Sequence, residues 1–219
     1  MGKLFHPDSK LMRVVNIIGD LVILNLLWVV CCLPVITIGP ATTALYVGVH
    51  KIVKGESQAL PKTFLQAFRS NFKPALITSL ILLFPVILIT GYFFLALSGA
   101  LDQMKELRFL CWLAIVIVSV VCSYVYPLLA TFENTVFNTL KNAMILPLSN
   151  PVIALAVTVL NLLPILLLIT NFSLFVRISV FWILIGGALA AFLNTKMLNV
   201  QFLKFIPAEG ANRLEQQLR

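Results

Sequence analysis

The chain has 219 residues, 60% of them hydrophobic and only 11% charged, with a net charge of +8 and a mean hydropathy of +1.02. Soluble domains carry about 45–50% apolar and about 25% charged residues, and a water-soluble globule of this size could not hide so much apolar surface. The composition excludes a secreted disulfide scaffold, a nucleic-acid-binding domain and a disordered chain, and it predicts an all-α integral membrane protein whose basic residues lie at membrane edges.

At the N-terminus, Lys3, Lys10 and Arg13 precede an apolar run, as in a signal peptide. That run is too long for a signal core and no A-x-A site follows it, so it is expected to be a retained span. Residues 14–50, 74–104, 109–140, 142–176 and 178–195 contain no Lys or Arg. Spans of about 20 residues fit them at 14–33, 37–54, 75–98, 108–131, 151–170 and 174–194, six crossings in all. Each is expected to be helical, because an open strand or loop would leave backbone groups unpaired in lipid. Runs such as Leu80–Phe84 and Leu162–Ile169 do not alternate as barrel strands do.

The first apolar stretch is too long for one span. Pro34, Gly39 and Pro40 are read as a helix-breaking turn within it, since proline removes a donor and clashes with the preceding turn. The second helix, about 41–54, is short for a full crossing and is expected to be tilted, extended by its flanks or re-entrant.

Two amphipathic stretches, 60–73 and 133–142, read as interfacial helices on the inner side. In the first, Phe64, Phe68 and Phe72 recur every fourth residue, on one helical face. With Arg69 and Asn71 they form a candidate docking surface for a partner. Each stretch precedes a span, which hints at a helix-then-hairpin unit used twice. Residues 197–219 read as a cytoplasmic tail. With both termini inside, 13 of the 16 basic residues lie inside and 3 outside, which favours this orientation over its inverse.

Cys31, Cys32, Cys111 and Cys122 lie in or beside apolar runs, without a C-x-x-C pair or a neighbouring histidine. They read as small buried residues, with no metal site and no disulfide framework. Asp20 is the one acidic residue inside a span. An ionised carboxylate there needs a partner or water. It is expected either to face the bundle interior and bond Asn or Thr groups of a neighbouring helix, or to couple ions or protons. Asn25, Thr37, Thr42 and Thr43 are the other intramembrane polar candidates. The threonines either cap a helix start or border a site at a broken helix.

No G-x-x-x-x-G-K-[ST], G-x-S-x-G or H-E-x-x-H occurs, and His6 and His50 are the only histidines. No cofactor, metal or catalytic residue is expected, and an enzyme is disfavoured.

Phe5, His6, Pro7 and Asp8, then Gly19-Asp20, Leu24-Asn25 and Trp28, then Leu33-Pro34, Thr37 and Gly39 to Leu45, and lastly Phe64, Phe68 and Asn71-Phe72 form a pattern. It resembles the YesL family of bacterial membrane proteins, a family of unknown function. Phe137, the run Leu140 to Ala143 and Asn150-Pro151 fit that family more loosely. The resemblance implies a multi-pass protein of the bacterial plasma membrane associated with carbohydrate uptake. On that basis the expected role is a non-catalytic accessory subunit of an oligosaccharide ABC importer. Its expected partners are permease subunits and the lipid bilayer, with no nucleic acid. A stand-alone small-solute transporter or channel is the alternative.

Overall fold

A computed structural model describes residues 10–97 and 105–202. Every regular element among them is helical. In chain order these are α1 (Lys10–Cys32), a 3-10 turn (Val35–Thr37), α2 (Ile38–Val53), α3 (Leu60–Ser70), α4 (Phe72–Leu97), α5 (Lys105–Thr131), α6 (Val136–Ser149), α7 (Pro151–Thr170), α8 (Phe172–Phe181) and α9 (Gly187–Phe202). A π-helical turn, Trp182–Gly186, joins α8 to α9 without a break. Among the described residues five helices are long and apolar enough to cross a membrane: Leu11–Cys32, Phe72–Tyr92, Phe109–Thr131, Pro151–Thr170 and Phe172–Phe202. The 16-residue α2 is a sixth apolar helix, shorter than a bilayer requires. The chain is an all-α membrane protein.

Two buried clusters organise the bundle. Leu21 and Leu24 of α1, Leu45, Tyr46 and Val49 of α2, Phe64 of α3, and Ala188 and Ala191 of α9 form one. Leu82 of α4, Val121, Tyr124 and Val125 of α5, Leu146 of α6, Val157 of α7, and Leu198 and Phe202 of α9 form the other. The last helix therefore runs through both. Small residues let it do so: Ala188, Ala190 and Ala191 are buried, as suits helices that must approach closely without a hydrophobic drive between them.

Hydroxyl side chains inside these apolar helices mostly bond their own helix. Thr78 donates to Pro74 O at 2.7 Å, Ser119 to Ile115 O at 2.7 Å and Ser123 to Ser119 O at 2.9 Å. Each hydroxyl is thereby satisfied four residues back and costs little in lipid.

The structure corrects several boundaries. Gly39 and Pro40 lie inside the first turn of α2, fully buried, and do not break a helix. The first-turn N–H groups of a helix have no intrahelical acceptor, so proline there loses nothing. The break is at Leu33-Pro34, with α1 ending at Cys32. The span expected at 174–194 continues through Phe202, where Asn199, Gln201 and Phe202 are buried, so residues 197–202 belong to the bundle and not to a tail. Residues 203–219 lie outside the described residues, as do 1–9 and 98–104. The amphipathic stretch at 133–142 is the start of the longer α6, and Phe72 belongs to α4. The order α3–α4–α5 and then α6–α7–α8/α9 does repeat a short helix followed by a long hairpin.

On the basic side, Lys51 Nζ lies 2.6 Å from Glu56 Oε2. This bond holds the exposed Glu56 carboxyl below its ordinary range and closes the loop that leads into α3.

Candidate functional site

The polar side chains of the interior gather in three places. The first surrounds the π turn. A π turn carries one extra residue, so the helical ladder shifts and leaves backbone groups without their usual partners. Asn25, fully buried, supplies those partners. Its Nδ2 donates to Ile183 O at 2.6 Å and Trp182 O at 3.2 Å, and its Oδ1 accepts from Ala188 N at 2.7 Å. Two glycines make room. A Cβ on Gly187 would lie 2.8 Å from the Trp28 ring and 3.0 Å from Asn25 Oδ1, and one on Gly186 would lie 2.7 Å from the Trp182 ring.

Beside this junction is a chamber of about 160 Å³ whose wall includes Trp28, Thr42, Tyr46, Asn161, Trp182 and Gly187. Trp28 Nε1 donates to Thr42 Oγ1 at 3.2 Å. Asn194 Nδ2 donates to Asn161 Oδ1 at 2.7 Å and to Tyr46 OH at 3.1 Å, so one amide ties α2, α7 and α9 together. Asn194 Oδ1 and the nearby Thr195 Oγ1 are buried without a partner.

The second place is the α5–α6–α9 contact. Gln201 accepts from Tyr124 OH at 3.0 Å and donates to Leu146 O at 2.5 Å and Ser149 Oγ at 2.9 Å. Replacing Gln201 with Leu strands the Tyr124 hydroxyl and removes three bonds at once, although the Leu146 carbonyl keeps the Ser149 hydroxyl at 2.8 Å. It is expected to cost about 2 kcal/mol, whereas Tyr124→Phe removes one bond and is expected to cost about 1 kcal/mol. Denaturant titration in detergent checks both, and equal losses for the two variants would contradict this hierarchy.

The third place is a cavity of about 520 Å³ on the basic side, lined by Arg13, Asn16, Asp20, Lys54 and Ser57 among others. It opens where α2 stops at Val53 while α1 continues to Lys10. Asp20 is half-buried in it. Among the described residues the only ion pair is Lys51–Glu56, and no hydrogen bond joins Asp20 to a neighbouring helix. The expectation that Asp20 bonds Asn or Thr of another helix is therefore corrected: this carboxylate faces an open polar cavity, which offers water in place of a partner. Asp20→Asn is accordingly expected to shift stability by less than about 0.5 kcal/mol. A thermal midpoint in detergent that fell well outside that range would show a partner for Asp20.

The remaining candidates have local roles. Thr37 Oγ1 donates to Cys31 O and Pro34 O, both at 2.6 Å, and so closes the turn between α1 and α2. Thr43 is buried and donates to Gly39 O at 3.1 Å. The phenylalanine face of α3 turns inward. Phe64 is fully buried, Phe68 stacks on it at 6.5 Å, and Phe72 meets Phe68 edge-on at 5.5 Å. Of the proposed docking residues only Arg69 is exposed, with Leu65 beside it, while Asn71 is half-buried and donates to Ala67 O. The reading from sequence missed Gln201, Asn194 and the π turn. The pair Gly186-Gly187 was the visible signal for the last of these.

Among the described residues no group of His, Cys, Asp and Glu could hold a metal ion. No curated protein and no solved structure matches the chain. Residues 21–93 match the model of a family described as protein of unknown function, DUF624. YesL-like proteins are a family of that kind, and the matched segment, α1 from Leu21 into α4, contains Asn25 and, on the α1–α2 side of the chamber, Trp28, Thr42 and Tyr46.

Proposed function

We propose that this protein is a non-catalytic accessory subunit of a carbohydrate ABC import system in the bacterial plasma membrane. Both termini lie inside, and it acts through helix–helix contacts with permease subunits. The observation that carries the non-transporting part is how the interior polar groups are used. Asn25, Asn194 and Gln201 are committed to holding helices together. The chamber beside Trp28 and the cavity beside Asp20 are separated along α1 and α2 by Leu21, Leu24, Leu45 and Val49, each 0–2% exposed. A conducting path needs a wet, continuous wall, and this apolar layer interrupts it. The link to sugar uptake and to permeases rests on the resemblance of the first 73 residues to the YesL family.

The protein purified from its native membranes in mild detergent is expected to bring permease subunits with it. Photo-crosslinkers at Leu65 and Arg69, both exposed on α3, are expected to mark them. Solute flux into liposomes containing the purified protein alone would overturn this proposal in favour of a stand-alone transporter.

A further inference from the structure

The turn between α1 and α2 is unlike the water-facing end of a hairpin. Residues 33–38 read Leu-Pro-Val-Ile-Thr-Ile. Leu33 is 76% exposed, Val35 79% and Ile36 59%. The one polar side chain, Thr37, is turned back to donate to Cys31 O and Pro34 O. The Thr37 N–H donates to Pro34 O and the Leu33 N–H to Val30 O, and the Ile38 N–H to Val35 O. Four carbonyls, those of Val30, Cys31, Pro34 and Val35, thus find donors within the turn. Hydrocarbon supplies no such partners, so pairing of these carbonyls within the turn suits a lipid surrounding.

The lengths agree. The basic end of the hairpin is marked by Arg13 on α1 and by Lys51 and Lys54 around the end of α2. From there the 16 residues of α2 rise about 24 Å, and α1 from Arg13 to its end at Cys32 rises about 30 Å, against a hydrocarbon core of about 30 Å. The turn therefore reaches no further than the far boundary. Its apolar surface is also continuous with the outward face of α1, where Leu26 and Val30 are exposed.

We infer that the α1–α2 turn is embedded in the hydrocarbon of the leaflet opposite the basic side, with lipid acyl chains covering Leu33, Val35, Ile36 and Ile38. The hairpin dips into that leaflet and does not emerge. The chamber beside Trp28 is then roofed by lipid on the hairpin side. This holds whether or not the protein has permease partners.

The test uses the full chain with Cys31, Cys32, Cys111 and Cys122 replaced by Ala, reconstituted in liposomes. A single cysteine is placed by Ile36→Cys or, as a second position, Val35→Cys. Ser173→Cys, exposed at the α7–α8 turn on the same side, serves as the water reference. Labelling of either turn position by a membrane-impermeant maleimide is expected to be at least about tenfold slower than at Ser173→Cys. A bimane probe introduced there in detergent is expected to be quenched by lipids bearing a doxyl group midway along the acyl chain. Labelling as fast as the reference would overturn the inference in favour of water. Slow labelling without doxyl quenching would overturn it in favour of a protein contact, in liposomes a second copy of this chain.

Discussion

Asn25→Leu is expected to be the most damaging single substitution of a polar side chain in the bundle. The leucine is apolar and similar in size, so packing volume is nearly kept. What is lost is the partner of three backbone groups: Trp182 O, Ile183 O and Ala188 N. A stranded buried polar group costs about 1–3 kcal/mol. Hydrogen bonds between membrane helices average nearer 0.6 kcal/mol, because the separated helices find other partners. The lower figure does not apply here, since the stranded groups are backbone atoms fixed by the π turn and cannot rotate to a new partner. A loss of about 3 kcal/mol is expected. Asn25→Asp should not rescue it, because an ionised carboxylate would face two carbonyl oxygens. Unfolding in detergent measured through tryptophan fluorescence is apt, since Trp182 is in the π turn and Trp28 packs on Gly187. A loss below about 0.5 kcal/mol would mean that the π turn persists without its amide, and that Asn25 is not what holds it.

The sequence made some of this legible. Stretches without Lys or Arg located α4, α5 and α7 to within a few residues, because charge is what lipid excludes most strongly. Asn25 stood out as a polar residue in an apolar run, but its role did not, since its partners are backbone atoms some 160 positions away. The π turn has no polar signature at all: Trp182 to Gly186 reads as one more apolar stretch. The end of the last helix was misplaced because Asn194, Thr195 and Lys196 look like a membrane edge. In the fold Asn194 is spent on Tyr46 and Asn161, and the helix continues. The phenylalanine face of α3 was correctly placed on one side, but periodicity does not say whether that side meets a partner or the protein's own core. Here α1 and α2 occupy it. Asp20 shows the reverse error. A lone carboxylate in a span suggests a partner, yet the shortness of α2 leaves it beside an open cavity.

The α2–α4 contact gives the other large effect, and it separates close packing from helix bending as the reason for Gly39. A Cβ built on Gly39 would lie 1.9 Å from Ser79 Oγ, 3.1 Å from Ala75 O and 3.2 Å from Ser79 Cβ. Ser79 cannot simply swing aside without loss, because its hydroxyl donates to Ala75 O at 2.8 Å and shares a hydrogen bond with Tyr126 OH at 3.2 Å. Gly39→Ala must therefore part the two helices or break those bonds, and an overpacked contact of this kind costs about 1–3 kcal/mol. Ser79→Ala alone gives up the Tyr126 bond and is expected to cost about 0.5–1 kcal/mol. Combined, the two should be less harmful than their sum, since removing Oγ takes away the 1.9 Å overlap and leaves contacts that shifts of a few tenths of an ångström relieve. A favourable coupling of about 1–2 kcal/mol is expected from the double-mutant cycle. Gly19→Ala is the control: nothing lies within 4 Å of its Cβ, so helix propensity alone predicts a gain of up to about 1 kcal/mol. Strict additivity of Gly39→Ala and Ser79→Ala would show that the glycine serves the conformation of the α2 start, and that the approach of α2 to α4 at Gly39 is not what fixes the residue.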